Sequence, residues 1–169
     1  IQAAIIFVRT KTASGELADR LLARGHAAAA LNGDMNQNMR EKVIARLKKG
    51  ALNIVIATDV AARGIDVERV SHVINYDVPY DVESYVHRIG RTGRAGRKGR
   101  ALLFISGREQ RLLADIQHAI GQDIPQIQPP SIREMAEKRG QQLADKVINI
   151  LAKSKRLAPS YEMVEKIKE

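Results

Sequence analysis

Five short runs of apolar and β-branched residues recur along the chain, at 3–8, 27–31, 53–57, 72–76 and 101–105. Most are unbroken rather than alternating, the pattern of strands buried on both faces of a parallel sheet. Between them the apolar spacing switches to that of amphipathic helices, over 15–24, 37–49, 82–89 and 109–120. Gly25, Gly50 and Gly121 stand just past three of these stretches, and Asp81 heads the fourth, where helices stop and start. Strands alternating with helices of this length predict an α/β fold, a doubly wound parallel sheet with helices on both faces. Its crossovers are right-handed, and its ligands bind beyond the carboxyl ends of the strands.

The alternation ends after Gly121. A connector over 124–130, carrying Pro125, Pro129 and Pro130 among glutamines, separates a domain over 1–123 from a tail over 131–169. Ser131 and Glu134 have capping-box spacing, and Ile132, Met135, Ala136, Leu143, Val147, Ile150 and Leu151 follow at helical spacing. A second tail helix is expected from Ser160, with Tyr161, Val164 and Ile167 on one side. The apolar face of this tail either packs back on the domain or meets another subunit or a following domain. The chain opens at Ile1 and runs almost at once into its first strand, which reads as a piece of something longer.

Charge narrows the class. Lysine and arginine number 28 against 19 acidic residues, a net +9, which suits a polyanion such as nucleic acid. There is no cysteine, and His26, His72, His87 and His118 lack metal-ligand spacing, so no metal site is expected on this chain. No apolar run is long enough to span a bilayer and no signal peptide is visible. A cytoplasmic chain without a membrane partner is the expectation. Neither a Walker-type phosphate loop nor a nucleophile elbow occurs, so independent hydrolysis is not expected.

Four clusters carry candidate chemistry. From Arg88 to Arg100 an arginine recurs at every third position, amid glycines and without an acidic residue. Such a run is either a solvated basic loop or a grip on phosphate, since guanidinium forks match phosphate oxygens and glycine admits close approach. A second cluster, 57–67, follows the third strand: Thr58 and Asp59 can cap a turn, Asp59 can pair with Arg63, and Asp66 can accept a ribose hydroxyl. The third, 31–41, joins a strand through Gly33 to a helix with free N–H groups. The fourth is Phe7, Val8, Arg9, Thr10 and Lys11 at the end of the first strand.

In this order and spacing, the clusters resemble the second RecA-like domain of DEAD-box RNA helicases over about residues 1–123. Residues 7–11 match motif IV, 33–40 with Gln37 motif IVa, 57–67 motif V and 87–96 motif VI. The connector and basic tail resemble the bacterial cold-shock branch. Asn32 stands where many relatives carry histidine.

The resemblance implies ATP as cofactor, with Mg2+ held mainly by a first RecA-like domain that also supplies the phosphate loop. Arg91 and Arg94 match the catalytic arginine fingers, Gly64 and Asp66 the nucleotide contacts, and His87 and Arg88 the positions coupling the two domains. Thr10, Lys11, Gly33, Arg40, Thr58 and Asp59 match positions on the RNA backbone, so binding is expected to ignore sequence. Aromatic residues make up only 4% of the chain, which argues against base stacking as the main contact. Relatives in the cold-shock branch use a helical extension to dimerise, implying a homodimer through Leu143, Val147, Ile150 and Leu151. The implied activity is ATP-dependent local unwinding of short RNA duplexes, absent without the first domain. A stand-alone RNA-binding module using the same basic surface is the reading from a different class.

Overall fold

A computed structural model describes residues 2–153. Five strands form one parallel sheet: β1 (Ala4–Phe7), β2 (Ala28–Leu31), β3 (Ile54–Ala57), β4 (His72–Asn75) and β5 (Arg100–Leu103). Their order is β2-β3-β1-β4-β5, and all pairings are parallel, with Ala4 opposite Ile54 on one side and His72 on the other. The helices are α1 (Lys11–Ala23), α2 (Gln37–Lys49), α3 (Asp59–Ala62), α4 (Val82–Ile89), α5 (Gln110–Ile120) and α6 (Ile132–Lys153). The doubly wound sheet expected from the run pattern is therefore present.

Both faces are covered because consecutive strand residues point oppositely. Ile6, Val8 and Ile56 pack with Ala18 of α1 on one side. Ile5, Phe7, Leu31, Val55 and Ala57 pack with Val43 and Leu47 of α2 and Ala61 and Ala62 of α3 on the other. The central strand is buried along its whole length.

Local chemistry sets the boundaries. Helix α1 begins at Lys11, four residues before the expected start, because the Thr10 hydroxyl accepts from the Ala13 N–H at 3.1 Å and caps the turn. Asn36 caps α2 through the Met39 N–H, and Asp81 caps α4 through the Ser84 N–H at 2.7 Å. Strand β5 spans 100–103 rather than 101–105. Arg69, from the β3–β4 connection, donates to the carbonyls of Leu47, Leu52 and Gln2 at 2.8–2.9 Å. It thereby ties the end of α2 to the strand that follows and to the entry of β1.

The chain divides into two compact units, Ile1–Ile124 and Pro125–Glu169. In the second, α6 starts from the capping box read in the sequence: Ser131 Oγ accepts from the Glu134 N–H and the Glu134 carboxylate accepts from the Ser131 N–H. The helix expected from Ser160 lies outside the described residues, as does the side chain of Leu151.

Candidate functional site

The strand order brings three of the four clusters to one edge. Strands β2, β3 and β1 are neighbours, so Gly33, Thr58 and the Thr10–Lys11 pair leave the sheet side by side. Gly33, Thr10 and Lys11 are exposed. Lys11 Nζ meets the Asp34 carboxylate at 2.8 Å, which fixes the turn after β2 against the start of α1. Asn32 donates to Ser14 Oγ at 3.1 Å and accepts from the Asp34 N–H, so its side chain is spent on the same turn. Arg40, half-buried in the first turns of α2, donates to the carbonyl of Arg63.

Beyond β3, Thr58 opens the short α3 without a side-chain cap bond. Gly64 then takes a left-handed conformation, φ +74°, beside open space. Asp66 follows, exposed. Helix α4 approaches from β4 and delivers His87 and Arg88 to the same place, and the turn after it delivers Arg91 and Arg94. Phe7, Arg63, Gly64, His87 and Arg91 line a groove of about 200 Å3.

Arg88 is not in that groove as a free cation. It is 1% exposed, and its Nε and Nη2 donate to the two Asp59 oxygens at 2.6 and 2.8 Å. Its Nη1 donates to Asn75 Oδ1 and to the Asp77 carbonyl, and the guanidinium stacks over Phe7 at 5.1 Å. Asp59 therefore pairs with Arg88, not with Arg63 four residues on. The bidentate fork satisfies the desolvation demand of a buried charge. Sequence reasoning missed this tie, although Tyr85, Arg88 and Ile89 share helical spacing and so set Arg88 on the inner face of α4.

The next two arginines remain partly accessible. Arg91 donates from Nη1 to the Ile65 carbonyl at 3.0 Å and from Nε to the His87 carbonyl at 3.3 Å. Burial, and then the neighbouring Arg94, hold its pKa below the ordinary value, opposed by Asp66. Arg94 pairs with Asp66 and donates from Nε to the Gly90 carbonyl. Two guanidiniums beside an open glycine backbone make an anion-seeking site, and one with an acceptor, Asp66, at its rim. These groups fit a nucleoside triphosphate. Among the described residues no group of three His, Asp or Glu side chains is placed to hold a metal ion.

Comparison with known proteins decides the family. Residues 1–96 match the helicase conserved C-terminal domain. The chain belongs to that family. It is a DEAD-box helicase C-terminal domain of RecA-like fold, similar to the DeaD proteins. It is 59% identical over 145 residues to the ATP-dependent RNA helicase DeaD of Buchnera aphidicola, covering 86% of this chain and 24% of that protein. To the Mycobacterium tuberculosis DeaD protein it is 49% identical over 168 residues, covering 99% of this chain and 29% of the relative. The domain thus spans about a quarter of the length of the curated relatives. Among solved structures it resembles the E. coli DEAD-box protein SrmB bound to regulator of ribonuclease activity A, with TM-score 0.68, 41% identity, and coverage of 77% of this chain and 82% of that one. It also resembles yeast Dbp5 L327V bound to RNA and ADP BeF3, with TM-score 0.70, 37% identity, and coverage of 86% and 38%.

Proposed function

We propose that this chain is the second motor domain of an ATP-dependent RNA helicase that opens short RNA duplexes locally, and that it turns over ATP only when joined to the first RecA-like domain. The observation that supports this most is the convergence of Arg91, Arg94, Gly64 and Asp66 on one open surface, at the carboxyl ends of the strands and beside the groove. Bound ATP supplies a phosphoanhydride whose cleavage spreads negative charge over the transferred phosphoryl oxygens. In this reading Arg91 and Arg94 neutralise that charge from across the domain cleft, Asp66 holds a ribose hydroxyl, and the open backbone at Gly64 admits the nucleotide. The first domain holds Mg2+ and the phosphate loop.

The RNA reading rests on the edge formed by Thr10, Lys11 and Gly33, all exposed, and the half-buried Thr58. Backbone N–H groups, hydroxyls and an ammonium there suit sugar and phosphate rather than bases. Arg40 and Asp59 join them by position, Asp59 through its hold on Arg88 rather than as a free carboxylate. His87 and Arg88 couple the cleft to the first domain, Arg88 by fixing α4 from within. The homodimer belongs to the same reading: Leu143, Val147 and Ile150 form one stripe of α6 at helical spacing. A dimeric mass by light scattering supports it, and a monomeric mass over a wide concentration range removes it.

The deciding experiment compares RNA-stimulated ATPase of the chain alone with that of the chain joined to a matching first domain, in wild type and Arg91→Ala. Turnover only in the joined wild type is expected, with Arg91→Ala slower by on the order of 10³-fold or more. A silent joined protein, or normal turnover by Arg91→Ala, favours an RNA-binding module without a motor role.

A further inference from the structure

The outer face of α2 carries charge that the proposed function leaves unused. Val43 and Leu47 turn inward, and Lys42, Arg46 and Lys49 stand on the opposite side at spacings of four and three residues, all exposed. Neighbours of like sign at these spacings mildly destabilise a helix, and a bound polyanion would relieve that repulsion. None of the three forms an ion pair among the described residues, whereas Lys11, Arg88, Arg94 and Arg97 all do. The helix's one acidic residue, Glu41, lies on the flank and accepts from Gln37 Nε2 at 2.8 Å.

Helix capping does not account for the stripe, and the dipole accounts only for Arg46 and Lys49, which lie in the last turn. The Leu47 carbonyl at the helix end is already taken by Arg69 at 2.8 Å and by the Gly50 N–H. Lys42 sits in the middle of the helix, out of range of a dipole effect confined to the last turn. Asn38 opens the same face five residues after Gly33, and from there to Lys49 the helix rise amounts to about 16 Å. A strand leaving the sheet edge at Gly33 meets one basic side chain about every helical turn along this line.

We propose that this face of α2 is a second phosphate-binding track, which takes single-stranded RNA running past the sheet edge. The proposal rests on the RNA reading given above and lengthens its footprint. It is tested with the whole chain and two oligouridylates: one just long enough to cross the edge at Thr10, Gly33 and Thr58, the other extended to run the length of α2. In the triple variant Lys42→Gln, Arg46→Gln, Lys49→Gln, affinity for the long RNA is expected to fall on the order of ten-fold. Its log–log salt dependence flattens by about two, at about 0.7 per lost phosphate contact, while affinity for the short RNA is unchanged. Lys42→Arg with Lys49→Arg keeps both affinities. Equal weakening of both RNAs, or a long-RNA salt slope that does not change, overturns the track and leaves the stripe a solvated face. If the wild type binds neither RNA, the RNA reading itself falls and the track with it. Should circular dichroism show that the triple variant has lost helix, Lys42→Gln alone carries the test, with the long-RNA salt slope flattening by about 0.7 and the short RNA unchanged.

Discussion

Arg94 and Asp66 hold each other. The guanidinium Nη1 lies 2.5 Å from the carboxylate, so the side chain proposed for phosphate and the one proposed for ribose occupy each other. Under the proposed function, exchange of partners makes Asp66 a contributor to binding and Arg94 to turnover. In the joined protein, Asp66→Ala is expected to raise KM for ATP about ten-fold with kcat little changed, the loss of one charge-assisted hydrogen bond. Arg94→Ala should lower kcat instead. Steady-state ATPase kinetics separate the two outcomes.

Arg88→Ala leaves the Asp59 carboxylate half-buried without its partner and removes the donor to Asn75 and Asp77. Breaking a buried pair from one side costs about 3–5 kcal/mol, less here because Asp59 is about a third exposed. A loss of about 3 kcal/mol in urea unfolding is expected. Arg88→Lys should recover little of it, since an ammonium cannot bridge both carboxylate oxygens and the Asp77 carbonyl.

The arginine loop contains two glycine-sensitive positions with opposite signs. Ala95 has φ 54°, a left-handed conformation that disfavours a Cβ, so Ala95→Gly should stabilise by about 0.5–1 kcal/mol. A Cβ on Gly99 would lie 2.6 Å from the Gly93 nitrogen and from Thr92 Oγ1. That hydroxyl is held by the Val70 carbonyl at 2.7 Å and cannot yield, so Gly99→Ala should cost about 1–3 kcal/mol. Thermal unfolding of both variants shows a rise in Tm for the first and a fall for the second.

Acid should weaken the fold through its caps. The Ser84 N–H holds the Asp81 carboxyl below its ordinary 3.8, and the Ser106 N–H holds Glu109 below 4.5. A carboxyl whose folded pKa is depressed contributes stability above its unfolded value and loses it as pH falls through the folded one. Urea midpoints are expected to decline from about pH 4.5 downward. Asp81→Asn keeps an acceptor for the cap while removing that residue's share of the decline.

The sheet was legible because its strands are buried on both faces and read as unbroken apolar runs, and the glycines at 25, 50 and 121 marked helix ends that the backbone confirms with positive φ. Helix α3 was not legible, being four residues long and held by what packs around it rather than by its own periodicity. The early start of α1 was hidden because Lys11 and Thr12 look like loop residues until the Thr10 cap is seen. At the site, the residues standing beyond strand ends were readable from position alone. The partner of Asp59 was not, because local spacing offered Arg63 while the guanidinium that binds it comes from 29 residues away.

The central place of β1 bears on how the chain becomes folded. It comes first in the sequence, yet its neighbours in the sheet are β3 and β4, each reached only after intervening strand and helix units. No hairpin or adjacent strand can template it, so its ladder forms only after long loops have closed. Such non-local pairing slows folding relative to helical bundles of similar size. During synthesis, a chain that has not yet emerged through Asn75 carries an apolar strand with one edge still open, and that interval is when it is most exposed to association with other chains.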